Sequence, residues 1–174
     1  MNKLKSCIAL CLIAIAFTGC KGEEKKAEGG EKAGNPSVEV VVDMVVKNDD
    51  VFQLFYTEGG NDFGPNSVYV NVPGKPESQQ IVFDLPDDAY VGNLRLDVGQ
   101  NEAQGEMAIN KMIVKISDKE LELSSADFLK YFTPAGYVKV DAGKSSFTGV
   151  KVDGIYDPFF TGNDALVQAL RNLN

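Results

Sequence analysis

From residue 37 onward, apolar side chains recur at every second position in short runs separated by turn residues. The first run places Val38, Val40, Val42, Met44 and Val46 on one side of an extended chain. A period of two is that of a β-strand, because successive side chains point to opposite faces. About nine such runs follow one another, with turn signals roughly every 8–12 residues, which predicts an all-β fold of the β-sandwich or jelly-roll type.

The strands expected after the first are, in order, residues 51–57, 68–72, 81–85, 94–98, 107–116, 120–123, 137–140, 147–152 and, as a last edge strand, 156–160. Within 107–116 the apolar positions change phase, because Ile109 and Ile113 are odd-numbered whereas Met112, Val114 and Ile116 are even-numbered. This change predicts either a β-bulge or a strand that is buried on both faces.

Two short helices are expected to interrupt the strands. The first begins at Ser124, with Asp127 three residues later, and ends before Pro134. The second begins after Asn163, a residue that caps helices well. Its apolar stripe consists of Leu166, Ala169, Leu170 and Leu173. This C-terminal helix is expected to cover one end of the sandwich, the alternative being a helix that binds a partner.

The N-terminus has the features of a bacterial export signal. Lys3 and Lys5 precede an apolar run at 7–17, which would span about 16 Å as a helix, roughly half of a hydrocarbon core. Small residues stand directly before Cys20, and this arrangement resembles the lipobox of bacterial lipoproteins, although Phe17 departs from the usual leucine. The resemblance implies a signal peptide at 1–19 and acylation of Cys20, by which the protein would be anchored to a membrane. The alternative is a plain secretory signal with an incidental cysteine.

Residues 20–36 are expected to form the lipidated cysteine and a flexible tether, and residues 37–174 the folded domain. The tether is rich in Gly, Glu and Lys and has no large apolar residue. We interpret it as a solvated linker; its acidic and lysine residues are also similar to surface-export signals of some Gram-negative lipoproteins. Cys7 and Cys11 leave with the signal, so that Cys20 is the only thiol of the mature chain and an intramolecular disulfide is excluded.

Charge and composition limit the classes of function. Six of the 17 basic and four of the 25 acidic residues precede residue 37, which leaves the folded part with a net charge of −10. Such a surface repels nucleic acid, so no nucleic-acid partner is expected. The chain has no histidine, which excludes histidine catalysis and histidine metal ligation. No catalytic motif is recognisable, and we expect a protein that is not an enzyme; a glycosidase would need two carboxylates facing each other in a cleft.

A family resemblance covers about half of the folded part, roughly residues 50–116. It is carried by DVFQLFYTEGGNDFGPNSVYVNVPG, QQIVFDLP, GNLRLDVGQ and AINKMIVKI, followed later by Asp157-Pro158-Phe159-Phe160. These stretches resemble the galactose-binding-like jelly-roll modules found beside bacterial glycan-active enzymes. The resemblance implies a carbohydrate-binding or accessory module.

Sugar binding needs aromatic faces together with amide and carboxylate groups. If Phe52, Leu54, Val68, Val70, Leu94 and Leu96 point into the core, the intervening side chains share the opposite face. Those candidate ligand-binding residues are Gln53, Phe55, Tyr69, Asn71, Arg95 and Asp97. The alternative is an ordinary solvated sheet face with an Arg95–Asp97 surface pair.

One loop offers the oxygen atoms that a calcium ion requires. Glu58, Asn61, Asp62 and Asn66 lie within nine residues, although their spacing matches no EF-hand. We expect either a structural calcium there or a turn shaped by Asx hydrogen bonds, and no other cofactor.

Taken together, the sequence predicts a lipid-anchored protein of the bacterial cell envelope, on the periplasmic or surface face of the outer membrane. The expected function is non-catalytic glycan binding. The alternative is a structural or assembly lipoprotein that docks on another envelope protein through a contiguous exposed apolar patch.

Overall fold

The computed structural model describes residues 37–174, and the predictions made for the signal peptide, Cys20 and the tether lie outside these residues. The described part contains two antiparallel β-sheets, a two-stranded hairpin and two helices. Numbered in chain order, the strands of the first sheet are β1 (Val38–Val45), β4 (Gln79–Leu85), β6 (Glu106–Ile116), β7 (Lys119–Ser124), β9 (Val138–Asp141) and β10 (Ser146–Gly149). The strands of the second sheet are β2 (Asp50–Thr57), β3 (Ser67–Val72), β5 (Asn93–Asp97), β8 (Phe132–Pro134) and β13 (Phe159–Gly162). The hairpin consists of β11 (Lys151–Val152) and β12 (Ile155–Tyr156).

The first sheet has the order β4-β1-β6-β10-β9, and β7 pairs with β6 as well. Strand β6 is long enough to hold two neighbours along one edge: β7 pairs with Lys111–Ile116 and β10 with Glu106–Ala108. The second sheet has the order β3-β2-β5-β13-β8. Strand β3 is therefore at one edge of the second sheet.

The alternating residues of both sheets form a single hydrophobic core. Val40 and Met44 of β1 belong to this core together with Phe52 and Leu54 of β2, and all four are fully buried. The predicted all-β sandwich is thus confirmed. Of the six side chains expected to point inward from β2, β3 and β5, Val68 and Val70 are only partly buried, because they belong to the edge strand.

The change of phase in β6 is a β-bulge. Asp43 of β1 faces Lys111, but the next residue, Met44, faces Ile109, so that Asn110 is the extra residue. Ile109 and Met112, on either side of the bulge, are both buried. Of the two predicted explanations for the pattern, the bulge is correct.

The two helices are α1 (Ser125–Tyr131) and α2 (Asp164–Leu173). Asn163 caps α2 as predicted, because its side-chain oxygen accepts hydrogen bonds from the backbone N–H groups of Ala165 and Leu166. The buried face of α2 contributes Leu166 and Leu170 to the core. At α1 the Ser124 hydroxyl donates to Asp127 at 2.6 Å and makes no hydrogen bond to the helix backbone.

The prediction of a last edge strand at 156–160 is wrong. Tyr156 belongs to the separate β11–β12 hairpin, whereas Phe159 and Phe160 begin β13, which lies inside the second sheet between β5 and β8. The reason is that β13 buries Phe160, whose ring makes edge-to-face contacts with Phe128 and Phe147. The described residues contain 13 strands rather than about nine, for two reasons. The predicted 147–152 and 156–160 segments each divide into two strands, and Phe132–Pro134, which was not predicted as a strand, forms β8.

Candidate functional site

The six predicted ligand-binding side chains lie on the same face of the second sheet, the face directed away from the core. They alternate along β2, β3 and β5 with the buried or partly buried residues named above. Tyr69 and Asn71 are exposed and the other four are partly buried, so that none of the six is fully enclosed by the described part. We call this surface the outer face.

The strand register arranges the outer face in rows that cross the sheet. In one row Tyr69 faces Gln53, Gln53 faces Asp97, and Asp97 faces Phe159. Four strands spaced about 4.8 Å apart give this row a length of about 14 Å. The neighbouring row runs through Ser67, Phe55, Arg95, Thr161 and Thr133. The predicted residues are therefore adjacent in space, although they come from three strands spread over 45 positions of the sequence.

Arg95 is the centre of a compact ionic and aromatic cluster. Its Nε and Nη2 donate to the two carboxylate oxygens of Asp97 at 2.7 and 2.8 Å, and Nη2 also lies 3.5 Å from Asp157. The guanidinium carbon lies 3.6 Å from the centre of the Phe159 ring and 5.2 Å from that of Phe55. Both distances are within the range of cation–π attraction. The predicted Arg95–Asp97 pair thus exists, and aromatic rings hold it in place.

The surroundings of Asp97 change the pKa of its carboxyl group. Burial raises the pKa of Asp97 above its usual value, since desolvation disfavours the charged form, and the nearby Asp157 acts in the same direction. The hydrogen bonds and the positive charge of Arg95 oppose this rise. The side chains of Arg95 and Asp97 are 24% and 18% exposed, so the pair lies partly below the surface of the sheet.

Phe159, Asp157 and Thr161 belong to the outer face but were missed as site residues. The sequence signal was present, since Asp157 and Phe159 stand in the aromatic Asp-Pro segment that carries part of the family resemblance. Their place beside Arg95 follows from the pairing of β13 with β5, which joins residues about sixty positions apart.

The other half of the outer face is open and uncharged. Tyr69 is 60% exposed, the largest value among the large apolar side chains of residues 37–174. Gln53 is half-buried beside it and donates from Nε2 to the Ser67 hydroxyl at 2.9 Å. Asn71, two residues further along β3, is exposed. An aromatic ring, two amides and a hydroxyl are therefore available to a ligand at the β3 edge.

The calcium prediction concerns the loop between β2 and β3. The side-chain oxygen of Asn61 accepts a hydrogen bond at 3.0 Å from Asn93, a fully buried residue that also donates to the carbonyls of Gly60 and Gly162. Glu58, Asp62 and Asn66 are exposed, and within residues 37–174 no group of three or more acidic or cysteine side chains is placed to hold a metal. The Asn61 bond joins the loop to the buried Asn93 of a distant strand and is not the local Asx hydrogen bond of the alternative, so that both explanations of the loop stay predictions.

Neither helix of residues 37–174 is long and apolar enough to cross a membrane. Comparison with known proteins adds no family: no protein-family model, no curated protein and no solved structure matches the chain significantly. The resemblance to galactose-binding-like modules therefore stays a prediction.

Proposed function

We propose that this protein is a lipid-anchored component of the bacterial envelope that binds glycans, without catalysis, on the outer face of its second sheet. The observation that carries the proposal is the combination of the strongly exposed Tyr69 with Gln53, Asn71 and Ser67 on an uncovered sheet surface. Sugars bind to aromatic faces through their apolar side and to amides and hydroxyls through their hydroxyl groups.

The geometry favours glycan binding over protein docking at this face. A docking surface presents a contiguous apolar patch. Among the large apolar side chains exposed in the described part, Tyr69 alone lies on the outer face, and its neighbours are polar. Phe55 and Phe159 are less exposed and contact Arg95.

A binding role also fits the acidic residues of the outer face better than hydrolysis does. Glycosidases use one carboxyl group as an acid and a second as a base or nucleophile, both directed at the substrate. Both oxygens of Asp97 instead accept hydrogen bonds from Arg95, and the second acid, Asp157, lies against the same guanidinium. Asp97 is therefore held by its neighbour rather than presented to a ligand.

A glycan-array screen of the detergent-solubilised full-length protein tests the proposal. Tyr69→Ala should weaken any hit by about 2 kcal/mol, or about thirtyfold, which is the usual cost of truncating a central aromatic side chain. Tyr90→Ala is the matched control, because Tyr90 is 48% exposed but lies in the loop between β4 and β5, outside the outer face. Failure of the folded protein to bind any glycan would favour the docking role.

Calcium is tested in the same screen by repeating it with a chelator. If the loop between β2 and β3 holds calcium, the chelator should reduce binding, and Asp62→Ala should abolish calcium binding measured by calorimetry. Asp88→Ala, which removes an exposed acid from a different loop, should leave it unchanged. If glycan binding persists unaltered in chelator and calorimetry detects no calcium binding, the loop is a purely hydrogen-bonded turn.

The anchor is tested by metabolic labelling with palmitate in the native host. Acylation at Cys20 predicts a labelled protein in the membrane fraction, and Cys20→Ser should abolish both the label and the membrane association. Cys11→Ser is the control, since that residue is expected to leave with the signal peptide. A labelled Cys20→Ser variant would contradict the proposed anchor.

A further inference from the structure

The charges of the outer face restrict what it can bind. The five strands of the second sheet contain one basic residue, Arg95. Two carboxylates, those of Asp97 and Asp157, contact its guanidinium, so that the cluster carries a net charge of −1. A ligand carboxylate or sulfate approaching Arg95 would meet two acids already in place.

Aromatic contact limits access to the same cation. Phe159 covers one face of the guanidinium at 3.6 Å, and the Arg95 side chain is only 24% exposed. Asp157, by contrast, is 46% exposed and therefore faces the solvent from which a ligand arrives. The exposed charge of the cluster is thus negative, in keeping with the net charge of −10 on the folded part.

The groups that are accessible along the β3 edge are uncharged. Ser67, Tyr69 and Asn71 follow one another at alternate positions of β3, and Gln53 lies directly opposite Tyr69 on β2. From Ser67 to Asn71 the strand extends for about 13 Å. This line of a hydroxyl, a phenol and amides can bind several hydroxyl groups of an extended ligand, but it has no cation with which to neutralise an acidic one.

We infer that the outer face selects neutral oligosaccharides along the Ser67–Tyr69–Asn71 edge and rejects uronate, sulfated or phosphorylated glycans. This inference rests on the proposed glycan-binding function and adds to it the class of ligand. Asp157 acts in this selection through its charge, whereas Tyr69 and its polar neighbours contact the sugar.

Affinity electrophoresis of the full-length protein in detergent tests the inference. The gels contain either a neutral polysaccharide (dextran, laminarin or xyloglucan) or an acidic one (polygalacturonate, alginate or chondroitin sulfate). We expect retardation by at least one neutral polymer and none by the acidic polymers at 20 mM salt. Tyr69→Ala should abolish the retardation, and Tyr90→Ala should preserve it.

The effect of charge is measured by comparing the neutral polymer that retards the protein with a uronate analogue of the same polymer. Asp157→Asn should bind the uronate form about twofold more tightly than the unaltered protein does, which corresponds to the loss of one charge about 10 Å away in water, since two strand spacings separate β5 from β3. The affinity for the neutral form is measured in parallel, and the effect of charge is the gain for the uronate form beyond any change for the neutral form. Asp88→Asn removes the same charge at a distance from the outer face and should change neither affinity.

The outcomes separate the two proposals. Retardation by acidic polymers that equals or exceeds retardation by neutral ones would overturn the charge selection while leaving glycan binding in place. An Asp157→Asn variant with no gain for the uronate form would also overturn it. A folded protein that no polymer retards would overturn the glycan-binding function, and the selection with it.

Discussion

Removal of the Asp50 carboxylate should cost the domain a large part of its stability. Asp50 begins β2 and is only 8% exposed. Its Oδ1 accepts hydrogen bonds from the backbone N–H groups of Val51, Gln100 and Asn101 at 2.7–3.1 Å, and its Oδ2 accepts one from the Gln104 side chain at 3.0 Å. The carboxylate thereby fastens the turn after β5 to the start of β2.

The magnitude follows from these four bonds. A hydrogen bond to a charged group contributes about 1.5–3 kcal/mol, but burial of the carboxylate opposes part of that sum, and water can reach some of the donors that Asp50→Ala exposes. We therefore expect Asp50→Ala to lower the free energy of unfolding by about 3 kcal/mol. Asp50→Asn retains an oxygen for the three backbone donors and loses only the bond to Gln104, so that its cost should be about 1–2 kcal/mol.

Urea unfolding followed by circular dichroism measures these differences, with Asp88→Ala as a control that should stay within about 0.5 kcal/mol of the unaltered protein. The order of stability is the decisive result. If Asp50→Asn is as unstable as Asp50→Ala, the three backbone bonds contribute nothing. If Asp50→Ala unfolds within 1 kcal/mol of the unaltered protein, the assignment of Asp50 as an anchor is wrong.

Three further changes have defined outcomes. Gly162→Ala should destabilise the domain in urea by more than about 2 kcal/mol, because the added methyl would overlap the side-chain oxygen of Asn93, whereas Gly136→Ala, with open space around it, should have little effect. Asn163→Ala should lower the free energy of unfolding by about 1 kcal/mol, because the cap of α2 is lost, whereas Asn163→Asp should retain most of the stability that the cap provides. If the two variants lose the same stability, the side-chain cap is not the cause. Burial raises the pKa of Asp97, so the folded state binds the carboxyl proton of Asp97 more tightly than the unfolded state does. The contribution of Asp97 to stability therefore falls as the pH rises above 3.8, the pKa in the unfolded state. The stability of the unaltered protein relative to Asp97→Asn should therefore decrease with rising pH in that window, and an increase would contradict the raised pKa.

Local patterns in the sequence predicted the features that depend on near neighbours. The alternation of β1 and β2 identified the core, the phase change in β6 identified a bulge as one of two explanations, and Asn163 identified the start of α2. Each of these depends on residues a few positions apart, where the period of the side chains and the chemistry of a cap are decisive.

The arrangement of the strands could not be predicted in the same way. The segment containing Phe159 was predicted as a last edge strand, but its place between β5 and β8 depends on Phe160 packing against Phe128 and Phe147. The proximity of Asp157 and Phe159 to Arg95 therefore depends on the pairing of β13 with β5, which the sequence does not indicate. The same holds for Asn61, whose side chain contacts the buried Asn93 of a distant strand.

The ionic cluster is better explained by the shape and charge of the outer face than by stability. Partly buried ion pairs contribute little net stability, because desolvation of the charges offsets their attraction, and apolar residues in their place are often at least as stable. The centre of the exposed sheet face is nevertheless occupied by Arg95, Asp97 and Asp157. β-Branched residues at the strand positions would have an equal or higher β-propensity. The arrangement of the three charged residues gives one half of the outer face a net negative charge and leaves the other half, along β3, open and uncharged. A substitution at Tyr69 consequently tests binding with little effect on folding, whereas one at Arg95 disturbs the packing of Phe55 and Phe159 as well as the charge.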